Sequence, residues 1–271
     1  MEKIHYQSTT DRVKVWLDAD NTTLHIQFNN PERHNALSVD MWEAVTPLLS
    51  QAELDQDIRL VVFSGAGDKA FVSGADITQF EDMRAAKEAV ARYETMAEQA
   101  LMGIYNFSKP TLALIRGYCI GGGVNVAMSC DIRIASDDAV FSIPAARLGL
   151  GYRYSALKNL VDLVGSAIAK DLFFTARRID AQEAKSVGLI TRVTSVENLD
   201  ELLTEYKRSL AANAPITVCA GKAIIREILK PSPEIDHEYC RTLIKNCFES
   251  EDYAEGRSAF MEKRKPVFRG K

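Results

Sequence analysis

The order of apolar and polar positions divides the chain into two stretches of different character. In the first, Val13 to Leu17 and Thr23 to Phe28 are β-rich and joined by Asp18-Ala19-Asp20-Asn21, which predicts a hairpin. Ser38 offers an N-cap to an amphipathic helix that places Met41, Val45, Leu48 and Leu49 on one face. Ile58 to Phe63 and Thr111 to Ile115 are apolar runs of the kind that form strands buried on both faces. A helical stretch from Ala86 to Tyr105 lies between them. Gly121 to Cys130 then reads as a helix opening on glycines, and Ile132 to Ala135 as a further strand. Strands alternating with helices predict an α/β layer with a partly parallel sheet. In the second stretch, Asp180 and Glu183 form a capping box and Ile190 to Val193 a brief strand. From there the pattern is helical: Leu199 to Ala212, Ile216 to Leu229, Ile235 to Phe248 and Tyr253 to Arg264, punctuated by Pro215, Pro231 and Pro233. No internal repeat or flexible linker interrupts the chain. The expected organisation is a core over 1–197 and a helical region over 198–271 that form one structural unit.

Composition narrows the function classes. The 271 residues are 46% hydrophobic and carry a formal net charge of −4, which argues against nucleic acid or an anionic membrane as partner. The first residues contain no apolar signal region, and no stretch approaches a membrane span. The five cysteines form no CxxC pair and are odd in number, so free thiols in a reducing setting, a cytoplasm or an organellar matrix, are expected and no metal site is. Basic residues do gather at the end of the chain, in Lys263, Arg264, Lys265, Arg269 and Lys271, as either a solvated tail or an anion contact.

Gly65-Ala66-Gly67-Asp68-Lys69-Ala70 matches a dinucleotide fingerprint, but that motif requires a helix at once, and Phe71-Val72-Ser73-Gly74 is not a helical pattern. A plain glycine turn is the better reading. No GxSxG nucleophile elbow is present. Two other glycine segments each follow a buried strand: Phe71 to Ile77, and Gly117 to Asn125. Glycines leave backbone N–H groups unobstructed, and in the second segment those groups fall at a helix N-terminus, where negative charge is favoured. Either segment alone reads as tight packing. Together they predict an oxyanion hole with one N–H from each loop.

These segments resemble the crotonase (enoyl-CoA hydratase/isomerase) superfamily almost from end to end. The resemblance also rests on Asn30-Pro31-Glu32-Arg33-His34-Asn35-Ala36-Leu37, Met128-Ser129-Cys130-Asp131-Ile132, Phe173-Phe174-Thr175-Ala176, Ala181-Gln182-Glu183-Ala184, and the closing Ala259 to Pro266. It implies a ββα spiral core with a C-terminal helical region, assembled as a homotrimer or a dimer of trimers. It implies an acyl-coenzyme A thioester as substrate, coenzyme A being part of that substrate rather than a separate cofactor. By position the oxyanion amides belong to Ala75 and Gly122. Adenine and phosphate contacts map near Arg33, Ala36, Ala75 and Ile77, while Phe260 and Lys263 match positions that reach the coenzyme A of an adjacent subunit. Asp76 is expected to support its loop.

The pattern then breaks. Typical hydratases of the family carry two glutamates, at positions occupied here by Asn125 and Ala145. Neither replacement carries a proton near neutral pH, so hydration by the two-glutamate route is not expected. The loop Ala145 to Tyr154 most resembles the methylmalonyl-CoA decarboxylase branch, which places a tyrosine at Tyr152, although that branch has a histidine where this chain has Ala75. The expected activity is therefore a lyase reaction on an acyl-CoA, either decarboxylase-like or an atypical hydration, with Tyr152 and Asn125 beside the hole. Arg147 and Arg153 are either partners of a substrate carboxylate or surface residues. A catalytically reduced acyl-CoA-binding scaffold is the alternative, and an RNA-binding role fits the charge least.

Overall fold

The computed structural model describes residues 4–76 and 86–271. Its frame is a six-stranded sheet built from β1 (Val13–Leu17), β2 (Thr23–Phe28), β3 (Leu60–Gly65), β5 (Thr111–Ile115), β7 (Ile132–Ser136) and β10 (Arg192–Thr194), in the order β1-β2-β3-β5-β7-β10. The first pair is the expected antiparallel hairpin, in register from Val13 opposite Phe28 to Leu17 opposite Leu24, and the remaining pairs are parallel. A parallel sheet covered on both faces explains why β3 and β5 are almost unbroken apolar runs.

A second sheet, β4 (Ala70–Val72), β6 (Tyr118–Ile120), β8 (Val140–Ser142) and β9 (Ile179–Asp180), was not legible in the pattern. Its strands are two or three residues long, too short for alternation to register. They nonetheless make the fold a spiral. Each turn lays one strand in the larger sheet, one in the smaller, and ends in a helix: β3-β4-α2 (Ala86–Asn106), β5-β6-α3 (Gly122–Ser129) and β7-β8-α4 (Tyr154–Thr175). Helix α4 was also missed, because Gly165, at φ 75° and ψ 160°, interrupts its periodicity with a non-helical residue.

Helix α1 (Val39–Leu54) buries Met41, Trp42, Val45, Leu48 and Leu49 in the main core. Ser38 starts it without the expected capping bond, since its hydroxyl turns to Asp40 instead, at 2.5 Å. Asp180 does cap α5 (Ala181–Ser186), accepting from the Glu183 N–H at 2.8 Å, but Glu183 pairs with Arg177 rather than closing the box. Helix α6 (Leu199–Ala211) covers the other face of the large sheet, with Leu199, Leu202 and Leu203 against Leu60, Leu112 and Ile134. Helices α7 (Pro215–Ile228), α8 (His237–Glu249) and α9 (Glu251–Glu262) complete the chain. Lys222 of α7 is tied to the sheet through Asp131, which also accepts from the Thr111 backbone and hydroxyl. All five cysteines are free, and among the described residues no helix is long and apolar enough to cross a membrane.

Helix α3 is the rigid strut of the spiral. Residues Gly123 to Ser129 are all buried. At its C-terminal end the buried Arg133 guanidinium donates to the carbonyls of Cys130 (2.6 Å), Ala127 (3.3 Å) and Leu189 (2.9 Å). A cation there complements the helix dipole and satisfies terminal carbonyls. At the other end, a Cβ on Gly123 would meet the Val72 carbonyl oxygen at 2.3 Å, so only glycine lets α3 lie directly on β4. We expect Gly123→Ala to destabilise the protein by about 1–3 kcal/mol or more, seen as a lower chemical-denaturation midpoint.

Candidate active site

The first glycine segment leaves β4 and runs as an extended arm. The Leu37 N–H donates to the Gly74 carbonyl at 2.8 Å, and the Asp76 N–H donates to the Leu37 carbonyl at 2.8 Å, a parallel bridge centred on Ala75. Alternation along an extended chain turns the N–H of Ala75 itself away from Leu37. Gly74, at φ 116°, permits the bend that precedes it. Asp76 is buried and pairs with Arg33 at 3.0 Å, which fixes the arm as the sequence suggested.

The second segment leaves β6. Gly121, at φ 53°, donates to the Ser142 carbonyl at 2.9 Å and caps α3. Gly122 is the first residue of that helix, where N–H groups have no partner within the helix. The two segments touch. A Cβ on Gly122 would lie 3.7 Å from the Gly74 carbonyl carbon, the atom bonded to the Ala75 nitrogen, and one on Gly121 would lie 3.9 Å from the Gly74 Cα. Neither the Ala75 nor the Gly122 N–H donates to another group among the described residues. Both line one cavity of about 480 Å³. Two uncommitted amides on adjoining turns, one of them at a helix N-terminus, can receive a single oxygen that carries developing negative charge.

Asn125 and Tyr152 also line this cavity, and they bind each other: the Tyr152 hydroxyl donates to Asn125 Oδ1 at 2.6 Å. Asn125 reaches the cavity because it lies one turn into α3. Tyr152 is held by the edge of the Phe173 ring, centroids 5.4 Å apart. Burial pushes the Tyr152 phenol well above the usual tyrosine range, so at neutral pH it is a proton donor. Ala145 lines the cavity too and adds no polar group.

Two features of the wall escaped the sequence. The first is Glu94 on α2, so the cavity is not free of carboxylates as the reading of positions 125 and 145 suggested. The second is the setting of Arg153, which is not a surface residue. Its guanidinium pairs with Glu94 at 2.5 Å and Glu98 at 3.5 Å, and Ser155 donates to Glu98 at 3.1 Å. Glu94 and Glu98 are one helical turn apart and face the same way, a spacing the sequence displays. Nothing local pointed to a partner so far along the chain. Arg147 instead approaches the Thr175 carbonyl, at 3.4 Å.

The other expected contacts are distributed as follows. Arg33 and the buried Ala36 stand on the segment that pairs with the Ala75 arm. Ile77 lies outside the described residues. Phe260 and Lys263 are exposed at the end of α9 and do not line the cavity.

Burial raises Tyr6 and Tyr152 and pushes Tyr93 up to about 12. An unfolded tyrosine titrates near 10. Their neutral burial therefore contributes its full stability below about pH 10, and that share is lost as pH rises toward the folded values, because the unfolded chain then holds fewer protons. Thermal melts should give a flat midpoint from about pH 7 to 9 and a falling one above about pH 10, with a shallower fall in Tyr152→Phe.

The fold and site together define an α/β spiral whose two glycine loops frame a ligand cavity. Residues 18–271 match the family model described as enoyl-CoA hydratase/isomerase, and the chain belongs to that family. Its relatives include the short-chain-enoyl-CoA hydratase of Clostridium acetobutylicum, 32% identical over 93% of this chain and 95% of that protein. Another is the peroxisomal Delta(3,5)-Delta(2,4)-dienoyl-CoA isomerase of Arabidopsis thaliana, 34% identical over 93% and 94%. Among solved structures, an enoyl-CoA hydratase/isomerase family protein from Hyphomonas neptunium superposes with a TM-score of 0.89 at 37% identity, covering 97% of this chain and 99% of that one. The enoyl-CoA hydratase from Bacillus anthracis gives 0.90 at 30% identity, covering 96% and 100%. The crotonase fold expected from the sequence is thus the fold observed.

Proposed function

We propose that this protein is a lyase acting on an acyl-CoA thioester through an enolate, with the thioester oxygen held by the Ala75 and Gly122 amides and the proton supplied by Tyr152. Coenzyme A enters as part of the substrate, and no separate cofactor is required. The observation that carries the reading is the pair of uncommitted amides beside a neutral, partly buried tyrosine; Asn125 and Ala145 stand at the positions where the resemblance leads one to expect acid–base carboxylates.

The reaction this arrangement suits best is decarboxylation of a malonyl-type acyl group. The bond from Cα to the carboxylate breaks, CO₂ leaves, and the electron pair stays as the thioester enolate. No base is needed for that step. The Tyr152 hydroxyl then gives its proton to Cα, and solvent restores the phenol. Asn125 Oδ1 holds the hydroxyl in place before the transfer, the O–H turns from it to Cα as the proton moves, and the N-terminus of α3 favours the enolate oxygen.

A second reading rests on Glu94. Its carboxylate shares the cavity and would serve as base for an atypical hydration, in keeping with the hydratases among the relatives. A panel of acyl-CoA thioesters read by mass spectrometry separates the two. Loss of CO₂ from methylmalonyl-CoA, with little water gain on crotonyl-CoA, is expected. Rapid hydration of crotonyl-CoA, lost in Glu94→Gln, would establish the second reading instead. Turnover of no thioester would leave a binding scaffold. In the assembly we expect three copies or two sets of three, with Phe260 of α9 and Lys263 just past its end near the coenzyme A of a neighbour.

A further inference from the structure

The cavity wall bears a feature that the proposed chemistry does not use. Most of the α1 and α2 side of the cavity is apolar, formed by Trp42, Tyr93, Ala97 and Leu101. Into this wall the fold sets an ion pair, Arg153 with Glu94, backed by Glu98. The Arg153 side chain is only 21% exposed. An alkyl chain laid against such a pair would strip water from two charges and return no hydrogen bond, which is unfavourable. A group able to donate to Glu94 and accept from Arg153 would restore what the water gave.

We infer that the Arg153–Glu94 pair is a specificity determinant that selects acyl groups carrying a neutral hydrogen-bonding substituent, a hydroxyl or an amide, away from the thioester. This rests on the acyl-CoA reading of the cavity and adds the class of acyl group. Charge decides for a neutral substituent. Among the described residues two carboxylates face one guanidinium, so the cluster is anionic and repels an acyl chain tipped with a further carboxylate. The Glu94 side chain is 45% exposed toward the cavity and solvent, so it is open to a ligand group, and a site that hydrogen-bonds a substituent rejects the analogue lacking it more strongly than an apolar pocket rejects a missing methylene.

The test uses coenzyme A thioethers, which cannot turn over, titrated calorimetrically into the full-length protein: hexyl, hydroxyhexyl and carboxypentyl. The hydroxyhexyl thioether should bind about tenfold or more tighter than the hexyl one, a difference of about 1.4 kcal/mol. The carboxypentyl thioether should bind most weakly. Glu94→Ala, which keeps the Arg153–Glu98 contact, should bring the hydroxyhexyl-to-hexyl ratio toward one. The double variant Glu94→Leu with Arg153→Leu should reverse it. Equal or tighter binding of the hexyl or carboxypentyl thioether to the unaltered protein, or an unchanged ratio in Glu94→Ala, would overturn the inference. Failure of all three thioethers to bind would remove the acyl-CoA reading itself.

Discussion

Gly122→Pro should lower kcat/KM by about 10²–10³-fold or more while leaving the fold in place, because it deletes one amide donor and occupies the place of the oxygen that the donor would hold. Proline is well tolerated at the first position of a helix, where its missing N–H has no intrahelical partner and its φ is already near the helical value. Gly122 occupies that position in α3, behind the capping residue Gly121. The ring would also project where the N–H points, into the space for the thioester oxygen. Gly122→Ala is the control. Its Cβ would sit at ordinary contact distance, 3.6 Å from Leu37 Cδ1 and 3.7 Å from the Gly74 carbonyl carbon, and the N–H survives. The alanine variant should keep most of the activity. Steady-state kinetics with matched circular dichroism and thermal melts give the comparison. Equal losses in both variants would mean that shape, not the donor, matters at this position.

Tyr152→Phe should reduce kcat by about 10²–10⁴-fold, the usual contribution of a positioned proton carrier. The phenylalanine keeps the packing against Phe173 and loses only the hydroxyl that donates to Asn125 at 2.6 Å. Because burial holds the phenol protonated well past its usual range, the unaltered protein should show no alkaline decline of kcat in the physiological range. A single acidic limb would then belong to the substrate. The variant also strands the Asn125 carbonyl, which costs about 1–3 kcal/mol and should lower the melting temperature. If Tyr152 merely formed the wall, the melting temperature would fall and kcat would barely move.

Much of the frame could be read before any coordinates. Long apolar runs such as β3 and β5 announce strands covered on both faces, and Asp18-Ala19-Asp20-Asn21 announces the hairpin, though not its register. The loops carrying Ala75 and Gly122 were legible because glycine is the residue that allows φ 116° at Gly74 and the 2.3 Å approach that a Cβ on Gly123 would make to Val72. What the sequence hid was tertiary. Strands of two or three residues carry no period, so the sheet that brings the loops together was invisible. Gly165 broke the periodicity of α4. Glu94 looked like one more charge on an amphipathic helix until its partner, Arg153, folded onto it. Arg133 follows α3 closely enough to reach the Ala127 and Cys130 carbonyls, but its third acceptor, the Leu189 carbonyl, is brought to it only by the fold.

The account depends on the thioester carbonyl sitting between two main-chain donors. Difference infrared spectroscopy of a bound acyl-CoA, isotope-labelled at the thioester carbon, reads that bond directly. We predict a clear shift of the carbonyl band to lower wavenumber on binding, largely lost in Gly122→Pro and kept in Gly122→Ala. A band at its solution position in the bound state of the unaltered protein would contradict the oxyanion site and the enolate chemistry built on it.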